Sequence, residues 1–426
     1  MNDLDPELYF DCNGSTPVHP QVVDAAIEHL RGTFGNASAA HAAGLAARAV
    51  IQRARGAVAR ALGAYEDEVF FTSGGTESNN LALRGALEPI GAAHGAAGGH
   101  VIVGRHEHGS VVRTVEWAER RGHDVTWLAP DAGGRLRVED IAAALRPDTR
   151  IVALMFANNE TGALQPVAEV GRLLAGHPAL FLVDAVCGVG KARVDVRELG
   201  CDLLSFGGHK VHAPKGVGAL YVRRGVALAP QIHGCGQQGG LRSGTENTTG
   251  VVALGRAMEL MHDGGFGAFD EVAAATERLW EGLTKRFPDV QRNGTAPFLA
   301  NTLNVWFPGV PALDLQARLA ARGASVASSA SRPKGLAPGA PVGAGEPSHV
   351  LLAMGHSPAR ATESIRFSLG HGSTCAGVER LLALLDECLA ARSGTMAARA
   401  PSEPDRLSLA VGGSAPTAQP ADSYAL

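Results

Sequence analysis

The chain has 426 residues, 19% of them charged, and a formal net charge of −4. That length accommodates one large domain with a smaller one beside it, and the near-neutral charge excludes an electrostatic footprint for nucleic acid. No apolar run reaches membrane-spanning length and the N-terminus lacks a basic-then-apolar leader, so a cytoplasmic protein without a membrane partner is expected. The six cysteines, Cys12, Cys187, Cys201, Cys235, Cys375 and Cys388, are scattered with no CxxC pair, which points to neither a metal site nor a disulfide framework.

Residues 1–17 read as extended, with a candidate edge strand over 9–13. Pro20 opens a helix to about 31, and Ser38 is placed to cap a second one ending near Leu62. A short strand over 69–71 breaks at Ser73-Gly74-Gly75, and a helix starts near Thr76. Strands over 100–103, 125–128, 150–156 and 179–184 alternate with helices after Gly109, over 138–145 and up to Leu174. Near-continuous apolar strands alternating with helices predict a largely parallel sheet covered on both faces. The run from Cys201 to Phe206 is another strand; it ends in Gly207-Gly208-His209-Lys210, and a further strand closes on Val222. Helices are expected over 246–261 and 271–286, and segments 301–307, 314–322 and 365–369 suggest a smaller α+β domain closed by a helix over 377–392. The domain reading is therefore 15–262 for the large domain, with 1–14 and 263–392 for the small one. Residues 334–345 read as a Gly/Pro/Ala loop, and 393–426, rich in Ala, Pro and Ser, as a disordered tail.

Chemistry concentrates at the strand ends. In an α/β sheet, ligands bind beyond the carboxyl ends of the strands, and the polar clusters after Phe71, Val103, Phe156, Val183 and Phe206 all fall there. Ser73-Gly74-Gly75-Thr76 at a helix start offers amides and a hydroxyl to a phosphate, though an ordinary tight turn accounts for it equally well. Asp184, at the end of a buried strand, needs a partner; a protonated pyridine nitrogen is one, a helix cap another. His108 could stack on a planar ring or move protons, or be one surface histidine among 16. Lys210 on a glycine loop is placed to form a Schiff base with an aldehyde cofactor.

Taken together, Gly74-Gly75-Thr76-Glu77-Ser78-Asn79-Asn80, Glu107-His108, Asn158-Asn159-Glu160-Thr161-Gly162, Asp184-Ala185, Gly208-His209-Lys210, Pro214-Lys215-Gly216-Val217-Gly218 and Arg242-Ser243-Gly244-Thr245-Glu246-Asn247 resemble the cysteine desulfurase and selenocysteine lyase family. Gly35-Asn36-Ala37-Ser38 and Glu346-Pro347-Ser348-His349 resemble further landmarks, and the likeness runs in family order over roughly 9–390. It implies fold type I of the pyridoxal-phosphate transferases, a homodimer, a small amino-acid substrate and a sulfur-acceptor protein. Lys210 would hold pyridoxal 5'-phosphate as an internal aldimine and act as base at Cα. Asp184 would pair with the ring nitrogen, and His108 would stack on the ring. Gly75, Thr76 and His209 would bind the phosphate, joined by Thr245 from the second subunit. Asn159 would contact the ring's oxygen side, and Cys187 would face the ring. Arg366 would clamp the substrate carboxylate, with Asn36 beside it.

Three positions depart from the family pattern. Cys187 stands where a glutamine is usual, and Gly207 where a phosphate-binding serine is usual. Ser331, in Ala327-Ser328-Ser329-Ala330-Ser331-Arg332, stands nearest the place of the sulfur-accepting cysteine, and no cysteine lies between Cys235 and Cys375. A serine hydroxyl does not replace a thiolate in attack on sulfur. The expected function is cleavage of the Cβ–S (or Cβ–Se) bond of cysteine, cystine or selenocysteine. Several readings stay open: an ordinary desulfurase whose cysteine has been replaced, a lyase releasing sulfur directly, and an enzyme of specialised metabolism acting on another α-amino acid. Two more are a role for Cys187 as sulfur carrier and a catalytically disabled scaffold that binds a sulfur acceptor.

Overall fold

The computed structural model describes residues 5–88, 98–264, 269–331 and 345–396. The chain opens with a short turn of 3-10 helix and an extended stretch, followed by helices α1 (Pro20–Gly32) and α2 (Ala42–Leu62). Strand β1 (Val69–Thr72) leads into α3 (Gly75–Leu87). Next come β2 (His100–Gly104), α4 (Gly109–Glu119), β3 (Asp124–Leu128), α5 (Val138–Ala144), β4 (Thr149–Met155), α6 (Val167–Leu173) and β5 (Leu180–Asp184). The short α7 (Val196–Leu199) precedes β6 (Leu203–Gly207), and β7 (Gly218–Val222) and α8 (Thr248–His262) follow.

These seven strands form one sheet in the order β1-β7-β6-β5-β4-β2-β3. Strands β3, β2, β4, β5 and β6 pair in parallel; β7 is antiparallel to both of its neighbours, so β1 and the parallel strands end on the same side. The period-two alternation of a strand explains the apolar runs. Ile102, Val152, Leu154, Phe181, Val183, Leu204 and Phe206 pack into one core with α2 and α8. Val101, Val103, Ile151, Ala153, Leu182 and Leu203 pack into another on the opposite face with α3 and α4.

The second sheet follows α9 (Phe269–Arg286). It comprises β8 (Gln291–Arg292), β9 (Thr302–Trp306), β10 (Ala327–Ser328) and β11 (Ser364–Ser368), in the order β10-β11-β9-β8, all antiparallel. Helix α10 (Ala312–Ala320) lies between β9 and β10, α11 (His349–Ala353) and α12 (Pro358–Thr362) precede β11, and α13 (Cys375–Met396) closes the described chain. Phe307, Phe367, Leu279, Leu315 and Leu382 are among the residues that fill its core.

Two local expectations change. Ser38 does not cap α2: its own amide is taken by Asn36 Oδ1 at 2.9 Å, and His41 caps the helix through Gly44 N. Residues 9–13 form single bridges rather than a named strand, Tyr9 to Ser325 and Asp11 to Ser368. Those bridges lay the N-terminal segment along the small sheet, with Phe10 N donating to Ser325 O at 2.8 Å and Cys12 N to Ser368 O at 3.0 Å. The last helix continues to Met396. Most of the expected 334–345 loop, and the tail from 397, lie outside the described residues.

Candidate active site

A cavity of about 530 Å³ opens at the carboxyl ends of β1, β2, β4, β5 and β6. It is lined by the turn after each: Gly74, Gly75 and Thr76; His108; Asn159; Asp184 and Cys187; His209 and Lys210. The parallel register produces this gathering, because residues far apart in the chain leave the sheet on one edge. Of the expected site residues, Lys210, His108, Asp184, Thr76, Gly75, Asn159, His209 and Cys187 are brought together here.

Four are not among the lining. Thr245 and Asn36 are exposed, and Asn36 is occupied in its own turn. Ser331 is also exposed and exchanges both backbone hydrogen bonds with Glu346, at 2.9 and 2.8 Å. Arg366 sits just behind Asn159, donating Nη1–H to its carbonyl at 3.0 Å and pairing through Nη2 with Asp11 Oδ1 at 2.5 Å; its Nε has no hydrogen-bond partner among the described residues. Any carboxylate that Arg366 binds must therefore compete with Asp11.

Asp184 ends β5 and is nearly buried. Its Oδ1 accepts from Val186 N at 3.0 Å and its Oδ2 from Asn79 Nδ2 at 2.8 Å. A carboxylate only accepts, so the amide of Asn79 is oriented by it. The same Nδ2 donates to Ser110 Oγ at 2.9 Å, and Asn79 Oδ1 accepts from Ser205 Oγ at 2.5 Å. Ser110 Oγ is then free to donate to His108 Nδ1 at 2.8 Å, and Ser110 N also donates to that nitrogen at 3.2 Å. With Nδ1 an acceptor twice over, the ring proton of His108 resides on Nε2. Burial, Lys210 and His349 push His108 below the usual histidine range, against the pull of Asp184, so the ring stays neutral. Asn79, Ser110 and Ser205 form a support that the sequence reading did not assign. A buried asparagine on the inner face of α3, five residues after Gly74, was the available signal.

Lys210 lies in a 3-10 turn that leaves β6, and its ammonium donates to Asn13 O. Asn13 also belongs to the small sheet, through its amide to Ser368 Oγ at 2.9 Å, and to the loop after β4, through Nδ2 to Asn159 O at 3.2 Å. The N-terminal segment thus joins the lysine, the arginine and the small sheet. Burial and the charges of Lys210, Lys215 and Lys191 bring His209 down to about 4. Glu107 is fully buried; its Oε1 accepts from Met155 N at 2.7 Å, and burial followed by the charge of Asp184 holds its carboxyl well above the usual range.

The residues suit pyridoxal phosphate. Helix α3 begins at Gly75 without a side-chain cap, leaving its first amides for an anion. His209, Lys210 and Lys215 add donors and positive charge beside it. Glu77 in the same turn is neutralised by Arg242 at 2.8 Å, which ties the segment carrying Thr245 to the start of α3. Backbone packing there is close: a Cβ on Gly75 would stand 2.4 Å from Val186 Cγ2, and one on Gly218 would stand 2.6 Å from Gly74 Cα. Across the cavity, Asp184 offers a carboxylate already fixed by two donors. Among the described residues, no group of three or more metal-type side chains gathers to hold an ion.

A sheet of this order, ending in a lysine, an aspartate and an uncapped glycine helix start, defines a fold type I α/β enzyme of the pyridoxal-phosphate class. The aminotransferase class-V family profile matches residues 8–381, and the chain belongs to that family, on its cysteine desulfurase branch. It is 38% identical over 382 residues to "Cysteine desulfurase IscS" of Methanosarcina thermophila, covering 89% of this chain and 91% of that one. Among solved structures it is similar to a "NifS-like protein", with a TM-score of 0.82 at 34% identity, over 90% of this chain and 99% of the other. It is also similar to "SspA in complex with cysteine", with a TM-score of 0.73 at 35% identity, over 86% and 99%. No helix among the described residues is long and apolar enough to cross a membrane.

Proposed function

We propose that this enzyme binds pyridoxal 5'-phosphate at Lys210 and cleaves the Cβ–S bond of L-cysteine or a close analogue, selenocysteine and cystine included. The observation that carries the reading is the convergence of Lys210, Asp184, His108 and Thr76 on one cavity. The relatives named cysteine desulfurase and the neighbour solved with cysteine support it. When bound, pyridoxal phosphate supplies an electron sink for the pair left at Cα. Lys210 is the base that takes the Cα proton. Asp184, held by Asn79 and Val186 N, favours a proton on a ring nitrogen opposite it. His108, neutral and protonated at Nε2, would stack on the ring and hand that proton toward the leaving sulfur. Thr76, Gly75 and His209 would hold the phosphate, Asn159 would contact the ring oxygen, and Cys187 would face the ring. Arg366 would receive the substrate carboxylate in place of Asp11.

Ser331 decides the outcome. It is exposed, and no cysteine occupies the described part of that segment. Without a thiolate there, release of sulfur by elimination is favoured over transfer to a protein persulfide: cysteine and water give pyruvate, ammonia and hydrogen sulfide. We further infer a cytoplasmic homodimer, with the exposed Thr245 completing the partner's phosphate site, and delivery of sulfur to an acceptor protein where the persulfide route operates. An action on another α-amino acid, and a scaffold that binds an acceptor without catalysis, are the alternatives. The protein as purified should be yellow, and Lys210→Ala should abolish the visible band and turnover. A colourless protein that cannot be reconstituted with the cofactor would overturn the reading.

A further inference from the structure

A second cavity, of about 40 Å³, lies behind Lys210, and its walls include both Lys210 and Lys191. That volume exceeds the roughly 10–15 Å³ that a single water needs. Lys191 is intermediate in exposure as a residue, but its Nζ is buried and has no hydrogen-bond partner among the described residues. Two histidines, His212 and His371, also line the wall, and His212 Nδ1 donates to Pro17 O at 2.9 Å. Lys210 donates to Asn13 O. Thr16 Oγ1 donates to His209 O at 3.0 Å and accepts from His212 N at 2.8 Å. Asn301 Nδ2 donates to Leu369 O at 2.9 Å, and its Oδ1 accepts from Thr302 Oγ1 at 2.9 Å. Burial pushes the Cys12 thiol up to about 11, so it remains protonated. Among the described residues no carboxylate lines the cavity, and the cations Lys210 and Arg366 act on Lys191 from nearby.

A buried amine or ammonium donor without an acceptor is costly. Burial, aided by the charges of Lys210 and Arg366, drives Lys191 toward its neutral form. A small anion in the cavity would satisfy the orphan donor and favour its protonated form. We propose that this cavity is a site for a small monovalent anion, held by Lys191 beside the cofactor lysine. Two sources share that chemistry: halide from solution, and hydrosulfide released by the cleavage proposed above. Only the second source rests on that reading.

The test uses the protein as purified, crystallised and soaked in bromide. Anomalous scattering should show one bromide within hydrogen-bonding distance of Lys191 Nζ. The thermal midpoint should rise with bromide at constant ionic strength, and Lys191→Met should weaken bromide by roughly 10–100-fold, the range for losing one hydrogen bond to an ion. Should Lys191→Met not fold, Lys191→Gln serves, and the wild-type crystal decides alone. Sodium hydrosulfide displacing bromide at a lower concentration than chloride does would assign the site to the released product; equal displacement would assign it to halide. An empty or water-filled cavity in bromide-soaked wild type, or an unchanged bromide peak in Lys191→Met, overturns the proposal whether or not the enzyme cleaves cysteine.

Discussion

Asn79 is a single buried side chain on which three others depend, so its removal should be unusually costly for a polar residue. Asn79→Ala deletes the bond to the Asp184 carboxylate at 2.8 Å and those to Ser110 at 2.9 Å and Ser205 at 2.5 Å. A hydrogen bond to a charged group contributes about 1.5–3 kcal/mol and a neutral one about 1 kcal/mol. Asn79 and Ser205 are fully buried, so no water replaces the lost partners without a rearrangement. A loss of about 4 kcal/mol is expected, read from urea unfolding of the cofactor-free protein with an unchanged denaturant slope. Ser205→Ala removes one bond only and should cost about 1 kcal/mol. The double variant should cost less than the two singles added, because the Ser205 bond is already absent in Asn79→Ala. A loss below about 1 kcal/mol for Asn79→Ala, or strict additivity, would refute the view that this amide organises the floor of the cavity.

His106 is fully buried, and burial lowers it to about 4 from the ordinary 6.5. Its pKa is lower folded than unfolded, so the unfolded chain binds the extra proton. Stability should be full above about 6.5 and fall as pH drops toward about 4, by an order of 3 kcal/mol, and His106→Leu should flatten that slope in urea unfolding against pH. An unchanged slope would assign the acid sensitivity to other groups. Ser331→Cys should shift products from L-cysteine toward alanine and a protein-bound persulfide and away from pyruvate; an unchanged pyruvate yield would show that the segment does not reach the substrate. Arg366→Lys should lower kcat/KM by about 10–100-fold, mainly through KM, as expected for losing one charged hydrogen bond to a carboxylate. An unaltered KM would remove Arg366 from substrate binding.

The sequence by itself determined the elements and the edge on which chemistry lies. Apolar stretches such as 151–155 and 181–183 are fully or nearly buried, so their pattern carries the parallel sheet directly, and each glycine or polar cluster after a strand marks the same edge. Cofactor-type residues were legible because each sits in a local signature: Lys210 after paired glycines, Asp184 closing β5, Thr76 opening α3. Only the tertiary structure decided their support and their competition. Asn79 joins β5, β6 and α4 through its side chain, and such a link depends on three registers that no local pattern encodes. Ser38 looked like a helix cap because its residue type suits one, but the chain turns first and His41 takes that place. The pairing of Arg366 with Asp11 arises where residues 355 positions apart are folded against one another, and Lys191 comes to lie behind Lys210 only when the chain on either side of β6 folds back to a shared cavity. Periodicity records which face a residue presents; the identity of its neighbour is settled only when sheets, helices and the N-terminal segment pack.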